Sequence, residues 1–230
     1  MSVRTGARSG YTIGVEWELL AGLEDEEQRR VLASCVRRRF PRGQVVFHEG
    51  EPGESMHLLE RGRACVRMST GLGESITVAV LGPGNFFGEQ ALVSSTDRRS
   101  GTVEALEPVE TLALTRSRFD ELRRDHPEVN DLLVRALDAR LREIGARLVE
   151  ALSETADKRV LRRLADLAEI YGPGTPTTIV LTQDDLATMA GTTRPTANRV
   201  LRGAQDRGVI DLARGRIEIL DLDQLRRMGL

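Results

Sequence analysis

Between Phe86 and Val103 the chain reads Phe-Phe-Gly-Glu-Gln-Ala-Leu-Val-Ser-Ser-Thr-Asp-Arg-Arg-Ser-Gly-Thr-Val, and the residue types in it suit an anion. Gly88 and Glu89 follow a short β-prone run. Gln90, Ala91 and Leu92 open a helical turn whose free N–H groups face an anion. Ten residues after Glu89, Arg99 offers a forked, charge-assisted grip on phosphate and Ser100 adds a hydroxyl. Glu89 can accept from a sugar hydroxyl while Arg99 neutralises a phosphate. The same residues also admit a structural Glu89–Arg99 ion pair that closes a loop, and spacing alone does not separate the two.

A second group of residues suits a nucleic acid. Thr182-Gln-Asp-Asp185 is an N-cap with an acidic third position, which opens a helix. Leu186 and Met189 face inward, Ala187 is small where a second helix must approach, and Gly191 makes the turn. Thr193 caps the next helix and Pro195 falls in its first turn, where a missing N–H costs nothing. Val200 and Leu201 hold that helix down and leave Arg194, Thr196, Arg199, Arg202 and Arg207 on one side. Arg at the start of such a helix fits guanine O6 and N7 in the major groove, and Thr hydroxyls fit phosphates. From Thr192 to Arg216 six Arg stand against Asp206 and Asp211, a local charge of +4 in a chain of formal net charge −2. Val209–Leu212 and Arg216–Leu220, joined through Arg214-Gly215, read as a wing. The alternative is an ordinary helical hairpin with solvated Arg; spacing, basicity and wing together favour DNA.

These residues need positioning elements. With 230 residues, the chain has room for two domains with separate cores. Residues 15–40 carry Trp17, Leu19, Leu20, Leu23, Val31, Leu32 and Val36 at helical spacing, which predicts a helix. Ten of the 22 glycines fall between Gly43 and Gly101 and punctuate short β-prone runs: Gln44–Phe47, Met56–Leu59, Ala64–Met68, Ser75–Leu81, Thr102–Ala105 and Glu110–Leu114. That pattern predicts a β-sandwich or small barrel. Pro127, at a first helical position with Asp125 or His126 as cap, predicts a long helix over 127–152. Along it Val134, Leu137, Leu141, Ile144, Leu148 and Ala151 recur at a 3.5 period, the seam of two paired helices. The opposite face, with Arg140, Arg142, Glu143, Arg147 and Glu150, is strongly charged, which favours a dimer seam over a helix packed on its own domain. Ser153–Lys158 is a polar break suited to a hinge. Beyond it the pattern predicts a helix ending at Tyr171, a strand at 177–181, helices at 183–190 and 194–207, the wing, and a short helix at 222–228.

Composition excludes several classes. Charged residues make up 30% and no apolar run reaches 18 residues, so no membrane span is expected. Residues 1–14 have no apolar segment and are expected to be a disordered tail, not a signal peptide. Cys35 and Cys65 cannot build a disulfide framework and read as small buried thiols in a reducing cytoplasm. His48, His57 and His126 are scattered and no Cys/His cluster exists, so no metal site is expected. Paired carboxylates, a nucleophile–base set and a phosphate loop are missing, so no catalytic residue is assigned and a cupin-type metalloenzyme is the remote alternative. Of the 33 basic residues only Lys158 is not Arg, which reflects coding bias before chemistry.

The order of these pieces resembles the cyclic AMP receptor protein/FNR superfamily of bacterial transcription regulators over residues 17–220. The resemblance rests on Pro41-Arg-Gly-Gln-Val-Val-Phe-His-Glu-Gly-Glu51, Gly62-Arg-Ala-Cys-Val66, Gly82-Pro-Gly-Asn-Phe-Phe-Gly-Glu89, Arg99-Ser100 and the helix-turn-helix from Leu186 to Leu201. It implies an α+β chain: a cupin-like, cyclic-nucleotide-binding-like β-roll sensor over 15–125, a dimerisation helix and hinge over 126–154, and a winged helix-turn-helix over 155–230. It implies a homodimer on double-stranded operator DNA, with RNA polymerase as a further candidate partner. Gly88, Glu89, Gln90, Ala91, Arg99 and Ser100 would meet a cyclic nucleotide, cyclic AMP or cyclic GMP, with Gly88 and Glu89 on the ribose. Arg194 and Arg199 would read bases, and Thr182, Gln183, Thr193, Thr196 and Arg202 would hold the duplex.

Two departures stand out. Cyclic-AMP-responsive members place a Thr-Ser pair on the long helix against the adenine amino group; the positions here are Ile144 and Gly145, which cannot make those hydrogen bonds. Pro195 replaces a Glu that reads cytosine in many members, leaving Asn198 as the substitute reader. The resemblance therefore leaves open a ligand-independent DNA-binding regulator with a vestigial pocket.

Overall fold

The computed structural model describes residues 15–172 and 176–230; the tail expected over residues 1–14 lies outside the described residues. After a single 3-10 turn at Glu18–Leu20, helix α1 spans Asp25–Ser34. A reciprocal pair opens it, Glu24 accepting from the third helical residue and Glu27 from the cap. Eight strands follow: β1 Val36–Phe40, β2 Val45–Phe47, β3 Ser55–Arg61, β4 Ala64–Ser69, β5 Ser75–Leu81, β6 Phe86–Phe87, β7 Thr102–Ala105 and β8 Val109–Thr115. The short helix α2, Gln90–Val93, lies between β6 and β7. The strands form two antiparallel sheets, in the orders β1-β8-β3-β6 and β2-β7-β4-β5.

β3 is buried on both faces, without a break from Met56 to Glu60. Met56 and Leu58 face a helical layer with Trp17, Leu20, Phe119, Val129 and Leu133; Leu59 faces the space between the sheets with Phe47, Phe87 and Val103. That helical layer comes from the N-terminal turn, from α3 (Arg116–Asp125) and from the first turns of α4 (Glu128–Ser153). At the standard rise the 26 residues of α4 run roughly 39 Å. Glu154 and Thr155 are extended, and this two-residue break sits at the hinge the polar Ser153–Lys158 segment predicts. Beyond it come α5 (Ala156–Tyr171), β9 (Thr177–Ile179), α6 (Gln183–Met189), α7 (Arg194–Asp206), β10 (Ile210–Ala213), β11 (Arg216–Ile219) and α8 (Leu222–Met228). The last three strands form a sheet in the order β10-β11-β9.

Three expectations are corrected. The helix predicted over 15–40 stops at Ser34, because Cys35 is extended and Val36–Phe40 pairs with β8 from Val36 opposite Ala113 to Phe40 opposite Val109. Arg37 of that strand pairs with Glu110 on adjacent β8 and with Glu60 on β3 beyond it, and this pairing outweighs the helical spacing of Leu32 and Val36. The cap of α4 is Pro127 itself, since His126 already ends α3. Leu137, read as part of the seam, packs half-buried against the sensor core instead.

Candidate functional site

The segment from β6 to β7 folds into one wall around Arg99. Gly88 has φ +83, and a Cβ there would stand 2.5 Å from Nη1 of Arg99. Only glycine admits both that backbone and that neighbour. The Nη1 of Arg99 donates to the Gly88 carbonyl at 2.9 Å, and its guanidinium lies 4.0 Å from the Phe47 ring centroid. Arg99 is 6% exposed, and its Nε is buried without a hydrogen-bond partner among the described residues. Burial lowers its pKa. A buried cation held by a carbonyl and an aromatic face, with no carboxylate in contact, is under-compensated.

Glu89 is also buried, at 1% exposure. Its partner is not Arg99. Arg140 of α4 donates to Oε1 of Glu89 and, at 2.7 Å, to the Phe86 carbonyl. The loop-closing Glu89–Arg99 pair is therefore replaced by a pair that pins the long helix to the pocket. Burial raises the pKa of Glu89 against the opposing pull of Arg140. The charged face of α4 makes further contacts within the chain: Arg147 donates to the Val78 carbonyl at 2.5 Å, and Glu150 holds Arg162 and Arg163 of α5.

Neighbouring residues that spacing did not single out fix the loop. Arg116 donates to the Ala91 and Leu92 carbonyls that end α2, to the Gly53 carbonyl and to Asp97. A Cβ on Gly53 would stand 2.2 Å from the Cβ of Ala91 and 3.2 Å from the Arg99 guanidinium. Ala91 is buried behind the wall, Gln90 opens α2, and Ser100 is exposed at the rim. Ile144 and Gly145 are not brought to this wall: Ile144 is 63% exposed and nothing lies within 4 Å of a Cβ on Gly145. A cleft of about 610 Å³ between α4 and α5 is lined by Glu143, Arg147, Glu150, Arg163 and Asp166, whose charges pair with one another.

The second site is carried by α6 and α7. Thr182 and Asp185 form the expected capping box, and Gly191 turns with φ +59. Thr193 is the cap residue of α7, but its hydroxyl meets that of Thr196 at 3.1 Å instead of a backbone N–H. Ala187, Ala197, Val200 and Leu201 are buried between the helices. Arg194, Pro195, Arg199 and Arg202 are exposed on the opposite face, with Thr196 and Asn198 at its margin. Side-chain contacts pre-order this face: Asn198 donates to Gln183 at 2.7 Å, Arg202 donates to Asn198 at 3.2 Å, and Arg199 forks onto Asp157 of α5 at 2.9 and 2.5 Å. A helix with a row of fixed donors on its outer face, flanked by a β10–β11 hairpin, matches the geometry of a major-groove reader.

A family model for the cyclic nucleotide-binding domain matches residues 37–126, and one for the Crp-like helix-turn-helix domain matches residues 158–228. The cyclic AMP receptor protein of Thermus thermophilus is 34% identical over 211 residues, covering 92% of this chain and 96% of that protein. A CRP-like cAMP-activated global transcriptional regulator of Mycobacterium tuberculosis is 29% identical over 225 residues, covering 96% of each. Among solved structures, the catabolite activator protein of Thermus thermophilus aligns with a TM-score of 0.54 at 33% identity, over 92% of this chain and 98% of that one.

Proposed function

The chain belongs to the cyclic AMP receptor protein/FNR family of transcription regulators, and on that premise we propose that it is a two-fold DNA-binding regulator gated by a cyclic nucleotide. The observation that carries the gating is Arg99: a buried guanidinium with, among the described residues, an unpartnered Nε and no contacting carboxylate. A cyclic phosphodiester supplies the missing charge and acceptor oxygens. Glu89, held by Arg140, keeps carboxylate lone pairs for a ribose hydroxyl, and Ser100 at the rim adds a donor.

The effector then bears on α4 through Arg140. The exposed apolar face of α4 pairs with a second copy of the chain, so that Ile144 and Gly145 meet the base at the seam. Neither can hydrogen-bond an adenine amino group. Motion of the seam passes to the break at Glu154 and Thr155 and orients α7. A ligand shifts this equilibrium only by its differential affinity for the two arrangements. On DNA, Arg194 and Arg199 read guanine, Asn198 reads in place of a residue that Pro195 cannot supply, and Thr182, Gln183, Thr193, Thr196 and Arg202 hold the backbone. The chain acts by binding, in the cytoplasm, with operator DNA and RNA polymerase as partners; its buried Glu60 and Glu89 are each paired with an arginine.

Calorimetric titration with cyclic AMP, cyclic GMP and the non-cyclic nucleotides tests this. One cyclic nucleotide binds the wild type, and Arg99→Ala weakens it at least a hundredfold with an unchanged circular dichroism spectrum. No heat from any nucleotide would make the chain a ligand-independent regulator with a vestigial pocket.

A further inference from the structure

The DNA-reading domain does not hang from the hinge alone. Arg63, just before strand β4 of the sensor, and Arg67 within it each grip the end of a different helix of the DNA-reading domain. Arg63 donates to the Tyr171 carbonyl at 2.9 Å and the Ile170 carbonyl at 3.3 Å, closing the C-terminus of α5, and stacks 4.1 Å from the Tyr171 ring. Glu107 holds its other side at 2.8 Å. Arg67 meets Oδ1 of Asp185 at 3.0 Å, in the first turn of α6, and is itself held by Glu104. The hydroxyl of Thr77 donates to the same Oδ1 at 2.8 Å. The Thr77 N–H, on the open edge of the sheet, donates to the Thr188 hydroxyl at 3.1 Å. Between these polar grips Cys65, Val80 and Leu106 of the sensor belong to one apolar cluster with Leu164, Leu181 and Leu186.

The other side of β4 adjoins the pocket. Gly101 follows Arg99 and Ser100, and a Cβ on it would stand 2.9 Å from the Arg67 carbonyl and 3.3 Å from the Val66 side chain. The pocket loop thus lies hard against the backbone of the residue whose side chain holds α6. Close-packed contacts of this kind pass small displacements on without absorbing them.

We propose that Arg67, acting on Asp185, is a positioning residue for DNA recognition, and that β4 is a direct route from the effector pocket to α6, in parallel with the α4–α5 hinge. This rests on the reading of Arg99 and Ser100 as the effector's phosphate site. The route runs from Ser100 through Gly101 to the Arg67 backbone, then through the Arg67 guanidinium to Asp185. Asp185 closes the capping box with Thr182, so a displaced Asp185 carries the Thr182–Gln183 end of α6 with it, where the DNA backbone is held.

The test uses the full-length protein and Arg67→Gln, which leaves the capping box and every pocket residue intact. Thr77→Val removes a second grip on Asp185 and serves as the independent variant. Two readouts are taken. Without any effector, hydrogen exchange is expected to rise about tenfold across residues 75–81 and 182–190 in both variants, and to stay unchanged in β3 and β8. With cyclic AMP or cyclic GMP, whichever binds the wild type, the ratio of operator Kd without and with nucleotide is expected to fall at least tenfold in Arg67→Gln. Unchanged exchange across both segments would overturn the clamp. Raised exchange with the full wild-type ratio would overturn the route, leaving Arg67 as a structural contact. If no nucleotide binds the wild type, the pocket reading fails on its own, the route fails with it, and the exchange readout still judges the clamp.

Discussion

At the residue scale the pocket is governed by charges removed from water. Arg99 and Glu89 are ten residues apart and both buried, yet each is stabilised by something other than its neighbour: Arg99 by Phe47 and a carbonyl, Glu89 by Arg140. His57 shares this environment. It is 6% exposed, stacks on Phe87 with ring centroids 5.1 Å apart, and its Nδ1 lies 3.0 Å from the Thr111 hydroxyl. Burial, with the positive field of Arg99 and Arg38 added, pulls its pKa from 6.5 down to about 4. The unfolded chain takes up this proton below pH 6.5 and the folded chain only near pH 4. Stability therefore falls as pH drops through that window, by about 3 kcal/mol in total. Glu89, with its raised pKa, works in the opposite sense, so the comparison with His57→Gln isolates the histidine. Urea denaturation at pH 7, 6, 5 and 4.5 measures it: the wild type should lose stability relative to His57→Gln on acidification. Parallel curves would show that His57 is protonated in the folded state.

At the element scale most of the fold was legible and some of it was not, for definable reasons. Ser75–Leu81 and Thr102–Ala105 match their strands at both ends because Gly and polar residues bracket them. α3 was missed because only Phe119 and Leu122 of its ten residues are buried, too few to show a period. β1 was read as helix because pairing with β8 is a non-local fact. In the site, Gly88, Glu89, Arg99 and Ser100 were visible as one segment. Arg140 and Arg116 were not, since their partners lie far away in sequence and an Arg-rich chain offers no contrast. The seam of α4 was half legible. Val134, Leu141, Ile144, Leu148 and Ala151 are exposed, but Leu137 faces the sensor. This distinction gives a paired prediction. Leu141→Glu with Leu148→Glu should leave the sensor folded, because both side chains are exposed in the single chain. It should convert the dimer to monomer in sedimentation and weaken operator binding at least a hundredfold by removing one of two linked contacts. Leu137→Ala should keep the dimer and lower stability by about 2 kcal/mol in chemical denaturation. A dimer that survives the double Glu substitution would place the interface elsewhere.

At the scale of the whole molecule, a charge-balanced chain must still find and hold a polyanion, and it does so by concentrating basicity. The +4 segment from Thr192 to Arg216 is presented on α7 and the wing. Two copies joined along α4 would present two such helices to half-sites about 34 Å apart, one turn of the duplex. Within each helix the contacts should separate by kind. Arg199 is fixed by Asp157 in an exposed fork that solvent screens, so a guanine edge can displace the carboxylate. Arg199→Ala should therefore weaken the preferred operator roughly ten- to hundredfold and relax selectivity at one base pair per half-site. Arg202 lies one turn further on and is tied to Asn198; in the proposed docking it holds a phosphate and not a base. Arg202→Ala should weaken all sequences alike and reduce the slope of log K against log salt by about one per half-site. Binding to a randomised operator library at two salt concentrations reads both effects at once. If Arg199→Ala changed the salt slope and not the selected sequence, α7 would be lying along the backbone instead of in the groove. The two arginines would then exchange roles, with the register of the helix shifted by one turn.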